Sequence, residues 1–182
     1  MNMKLSKIKR ILSGTAPVLI VLFSYSQLAL AQDDPSKRAS PPASATGKIG
    51  SAAITINYGS PSVKGRKIWG DLVPYGQVWR SGANEATTFS SDKDLLVEGK
   101  KLPAGKYAFF TIPGEKEWTI IFNKVPNQWG AFKYDSSQDA LRVTVKAAPS
   151  KEMHERLLYV VDDKSFRLFW ENLEVPVSVK SK

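Results

Sequence analysis

The chain has no cysteine. No disulfide therefore supports the fold, and no lipid can be attached through a cysteine thiol. It has one histidine, His154. A single imidazole without thiolates does not supply a zinc site. Serine-type catalysis would have to run through that same residue, which sits in the charged run KEMHER and reads as a surface or structural group. No G-x-S-x-G turn is present to carry a nucleophile. Calcium asks only for oxygen ligands, but Asp92-x-Asp94 and Asp162-Asp163 read first as hairpin turns. The sequence also lacks an internal repeat, a convincing amphipathic helix and a basic run interleaved with aromatics. The last absence, with the export signal described next, argues against a nucleic-acid partner. Neither a cofactor nor a metal is implied.

What is there begins with an export signal. Lys4, Lys7, Lys9 and Arg10 form a basic start free of acids, Ile11 to Phe23 is largely apolar, and Ala29-Leu30-Ala31 offers small residues at both cleavage positions. Residues 1–31 read as a secretory signal peptide with Gln32 as the mature N-terminus. The rival, an uncleaved anchor, needs about 20 consecutive apolar residues, and the run is broken by Ser13, Gly14, Thr15 and Pro17. The formal net charge is +9, and four of those charges lie in the signal, which leaves nine less four, or +5, spread along the rest. A periplasmic or secreted protein with no membrane attachment after cleavage is expected.

Residues 32–48 (QDDPSKRASPPASATGK) hold Pro, Ser and Ala but no large apolar side chain. They read as a flexible tether, because they cannot bury enough surface to offset ordering. The domain is expected over 49–182, long enough to bury a core without staples. Ile54, Ile56 and Tyr58 alternate with polar residues, as in a half-buried strand. Short strands are also expected over 85–90, 95–97 and 131–134. Lys106 to Ile112 is apolar on both faces and pairs with Trp118 to Phe122 as the central hairpin. Leu141, Val143 and Val145 mark a strand with one wet face. Pro149-Ser150 reads as a break, residues 155–161 and 165–170 as a hairpin, and 174–180 as a last strand that Pro176 assigns to an edge. The pattern is all-β: a single-domain sandwich or jelly roll of about eight to ten mostly antiparallel strands. A small lipocalin-like barrel is the alternative.

Between the strands lies GRKIWGDLVPYGQVWRSGANEATTF, residues 65–89. Its G-R-x-I-W-G, V-P-Y-G-x-V-W-R and G-A-N-E-A-T segments, with L-P-A-G-x-Y at 102–107 and Ile112-Pro113, resemble a family of secreted bacterial proteins. That family is catalogued only as a domain of unknown function, numbered two-nine-one-one. The resemblance covers about Ile54 to Val179 and implies an exported β-rich protein. It implies no catalytic residue and no substrate.

The same stretch concentrates binding chemistry. Arg80 is a permanent planar cation, Glu85 can pair with it, and Asn84 can bond a backbone or a ligand hydroxyl. With Trp69, Tyr75 and Trp79 nearby, and Trp129 from a second loop, these residues suit a small polar or carbohydrate-like ligand, the rings stacking on it and the polar groups orienting it. Two other readings stand beside this one. Glu85 with a second carboxylate (Asp71, Glu155 or Glu171) would make a cofactor-free hydrolase. Alternatively, Arg80 and Glu85 merely pin a long loop while the tryptophans fill the core, as in a structural or interaction protein of the envelope.

Overall fold

The computed structural model describes residues 34–182. The expected signal peptide and the first two tether residues lie outside them. Ten strands form two antiparallel sheets, and the only helical pieces among the described residues are two three-residue 3-10 turns. The first sheet is ordered β1 (Pro42–Ile49), β2 (Ala52–Gly59), β3 (Thr87–Ser91), β6 (Gly105–Ile112), β7 (Glu117–Asn123) and β8 (Asp139–Lys146). The second is ordered β5 (Lys100–Leu102), β4 (Leu95–Val97), β10 (Ser165–Ser181) and β9 (Ala148–Val161). This is a β-sandwich; the sheets do not close into the barrel held as the alternative.

The core lies between the sheets because inward positions alternate along the strands. Ile54 and Ile56 of β2, Phe89 of β3, Phe109 of β6 and Phe122 of β7 face Leu168, Trp170, Val175, Val177 and Val179 of β10. Central β6 is covered on its other face too, as its two-sided apolarity predicts. Ala108 and Phe110 pack there with Ala86, Ile121 and Tyr134 under the loops.

Five expectations change. Residues 32–48 are not a tether throughout, because Pro42–Ile49 is a full strand paired residue for residue with β2. Before Ile49 its inward side chains (Ala43, Ala45, Gly47) are small because β9 passes close: a Cβ on Gly47 would sit 2.8 Å from Val161 Cγ1. A lack of bulk that reads as disorder is steric fit. Pro149-Ser150 does not break the chain but lies within β9. The two last strands are one, β10, kinked by bulges around Glu171, whose φ is +56°. Pro176 does not mark an edge; it falls between the stretch of β10 paired with β9 and the stretch paired with β4. Residues 131–134 form a turn rather than a strand, with Tyr134 edge-on to Phe110 at 5.1 Å.

The excursion between β2 and β3 spans one end of the sandwich. It bonds first to β9 of the second sheet, Val63 N–H to Glu155 O at 2.7 Å and Leu157 N–H to Pro61 O at 2.9 Å. It then crosses to the first sheet, where Trp79 and Thr111 exchange backbone bonds of 2.8 and 2.9 Å. It returns against its own starting strand, Ala83 N–H donating to Gly59 O at 3.2 Å.

Candidate functional site

The tryptophans of the excursion are first of all structural. Trp69, Trp79, Trp118 and Trp170 pack as one cluster with ring centroids 5.0–6.3 Å apart. Trp79 and Trp170 lie nearly parallel, 14° apart, and the other contacts are edge-on. Trp69 is 8% exposed at the centre of this group, so it cannot offer a face to a ligand. Tyr75 is removed from the set as well: its ring packs under Gly70, where a Cβ would meet Cε2 at 2.9 Å, and it lines neither cleft described below.

The chain turns sharply after Trp79. Ser81 and Asn84 both adopt left-handed backbone, φ +55° and +63°, a conformation Asn tolerates and Ser seldom takes. Ser81 is held there from three sides. Its carbonyl accepts from Thr87 Oγ1 at 3.0 Å and from Tyr159 Oη at 2.7 Å, and its hydroxyl donates to Thr111 Oγ1 at 3.0 Å. Burial raises the Tyr159 hydroxyl well above its ordinary value, so it remains a neutral donor. Asn84 joins three segments: Nδ2 donates to Ser40 O at 2.9 Å, and its carbonyl accepts from Gly130 N–H at 3.0 Å.

Arg80 and Glu85, five positions apart and expected to pair, do not. The turn points them in different directions, and Glu85 takes Arg38 from the N-terminal arm, Nη1 to Oε1 at 2.9 Å and to Oε2 at 3.3 Å. Burial alone would raise the Glu85 carboxyl. Its own backbone N–H and the hydrogen bond and charge of Arg38 outweigh that and hold it below its ordinary value. The same Arg38 guanidinium lies over the Trp129 ring, 6.0 Å from its centroid. Trp129 is 58% exposed and is bridged through its backbone to Glu85.

Two clefts meet at Asn84. The first, about 420 Å3, lies on the outer face of the first sheet between the N-terminal arm and the start of β3. Arg38, Asn57, Tyr58, Asn84, Glu85 and Thr88 supply its polar groups. Among the described residues Glu85 is the only carboxylate in its wall; Asp71, Glu155 and Glu171 are not part of it. The second, about 290 Å3, holds Trp79, Arg80 and Trp170 together with Arg66. Arg66 is anchored by bonds from Nε to Val63 O at 3.0 Å and from Nη2 to Ser62 O.

The structure thus unites Asn84, Glu85 and the adjoining Trp129 around one cleft, and Trp79, Arg80 and Asn84 around the other. Sequence reasoning missed Arg38, Asn57, Tyr58 and Thr88. The alternation of Asn57 with Tyr58 on a strand was a usable signal for surface placement; for Arg38, within a segment read as tether, there was none. His154 lies away from both clefts, its ring 4.9 Å from that of Phe169 and its Nε2 3.0 Å from Ser150 Oγ. Among the described residues no three of His, Asp and Glu come together as a metal-ligating group.

A two-sheet sandwich with its longest connection folded into paired surface clefts is the class this architecture defines. Residues 40–179 match the family described as protein of unknown function (DUF2911), and the chain belongs to that family. Neither a curated protein nor a solved structure matches it.

Proposed function

We propose that the protein is an exported binding module that takes a small neutral polar or carbohydrate-like ligand in the cleft walled by Asn57, Asn84, Glu85 and Thr88. The observation that carries this reading is Trp129, 58% exposed beside Glu85. An indole left in water next to a cleft that its backbone partner Glu85 helps to wall presents, on the side away from Arg38, a flat face on which sugar C–H surface stacks, while an ionised carboxylate and two amides can orient hydroxyls. The hydrolase reading has less support. Glycoside hydrolysis needs two carboxyl groups about 5–10 Å apart, one of them protonated, whereas among the described residues Glu85 stands alone in the wall and is held ionised. Export is read from the signal-like first 31 residues.

The test is thermal unfolding against a panel of mono- and oligosaccharides and polyols. A binder at a hundred times its dissociation constant adds about 2.7 kcal/mol. Trp129→Ala and Glu85→Gln are expected to remove that shift while leaving the unliganded midpoint nearly unchanged, since both side chains are exposed. A panel without any shift, or a shift that survives both substitutions, sinks the proposal.

A further inference from the structure

The second cleft differs in kind from the first. Arg66 and Arg80 both line it, and among the described residues no carboxylate does. Arg80 Nε is fully buried without a protein acceptor. The indole Nε1 of Trp170, a residue 1% exposed, is buried without one too, and Trp170 forms part of the same wall. Unpaired buried donors are rare because each loses its hydration without replacement. A guanidinium is the most demanding of them, since it stays charged in proteins. Burial also lowers the Arg80 guanidinium below its ordinary value. Its sequence neighbour Glu85 does not supply one, being taken by Arg38. Arg66 is fixed by two backbone carbonyls, so its position is set without any acid. Beside these donors, Ser40 and Asn84 the wall is apolar, with Trp79, Val73 and Leu72, the last 45% exposed.

We propose that this cleft is an oxyanion site for a small carboxylate- or phosphate-bearing molecule with a flat apolar body. The anion lies between Arg80 and Arg66, and the body lies against Trp79. Two guanidinium groups with no competing acid suit either anion, because the planar fork of arginine matches both geometries. A cleft of about 290 Å3 suits a small molecule rather than a polymer. The site is independent of the neutral-ligand cleft and shares only Asn84 with it.

The probes are inorganic phosphate and benzoate, each titrated into the protein against sodium chloride at equal ionic strength. Tryptophan fluorescence reports binding because Trp79 and Trp170 both line the cleft. A saturable change with one of them, absent with chloride, is expected, and the responding probe tells phosphate from carboxylate. Arg80→Met keeps the aliphatic stem and removes the unpaired donor. It should weaken binding at least tenfold while the ligand-free midpoint stays level or rises; a purely structural arginine would show a fall. Leu72→Glu, at an exposed position, puts an acid in the wall and should also weaken binding at least tenfold. It decides the matter if Arg80→Met folds poorly. A wild-type response no larger than that to chloride overturns the proposal, as does wild-type affinity in Leu72→Glu.

Discussion

Gly59 illustrates how closely single residues constrain the candidate site. It ends β2, lines the first cleft and accepts the backbone bond from Ala83. A Cβ there would stand 2.2 Å from Ala83 O, and backbone cannot swing aside as a side-chain tip can. Gly59→Ala is therefore expected to push the 80–85 turn off the sheet and to destabilise by about 1–3 kcal/mol, the usual range for overpacking. Urea unfolding measures this, and an unchanged midpoint would mean the turn is not held against β2. The Arg38–Glu85 pair sits at the other end of the energetic scale. With 58% of the Glu85 side chain exposed, it contributes at most about 1 kcal/mol. Its consequence is geometric: it lays the N-terminal arm across Trp129.

Among the elements, β1 is the informative one. Before the buried Ile49 its side chains are too small to hold it by burial alone, and its ladder to β2 together with the fit of Gly47 against β9 keeps it in place. Gly47→Val would be silent in a tether. In this strand the branched side chain collides with Val161 Cγ1 and with Val161 O, 2.8 and 3.2 Å from the position of a Cβ. A loss of about 1–3 kcal/mol in chemical denaturation is expected; no loss would contradict the packing of β1 on β9. The long excursion is rigid for the opposite reason. It drives two large rings into the core, where replacing one such ring by alanine costs about 3–5 kcal/mol. A floor of packed indoles, Trp79 and Trp170, therefore fixes the second cleft.

For the whole molecule the titrating groups set a direction. Asp94 and Asp135 are held below their ordinary value of 3.8, chiefly by backbone N–H bonds from Ala104 and Ser137. At Asp162 burial acts upward, but bonds from Lys164 and Ser165 and the charge of Arg167 outweigh it. Glu85 is likewise depressed from 4.5. A depressed carboxylate stabilises the fold above its unfolded pKa, and that contribution is lost as pH falls through the folded value. The thermal midpoint should thus hold from neutrality to about pH 5 and fall below about pH 4. Asp162→Asn should show a shallower acid slope, and equal slopes would count against this origin. At the alkaline end Tyr134, pushed up to about 12 first by burial and next by its bond to Asp139, works in reverse. Its contribution is intact below pH 10 and disappears as pH rises toward 12.

The alternation of Ile54, Ile56 and Tyr58, the two-faced run 106–112 and the turn residues between strands made the sandwich legible in the chain, because strand period and burial are local properties. So was the place to look, since an irregular stretch rich in Trp, Arg, Asn and Glu stands out from a β background. The partners were not legible. Glu85 passes over Arg80, five residues away, for Arg38, forty-seven residues away, because two left-handed residues turn the intervening chain. Nor could composition separate a tether from a strand at 42–49, since small side chains suit disorder and close packing equally. The tryptophans divided in the same way: Trp69 went to the core and Trp129 to the surface. Strand period and composition act between neighbours in the chain, whereas pairing, burial and cleft walls are set where the fold brings distant segments together.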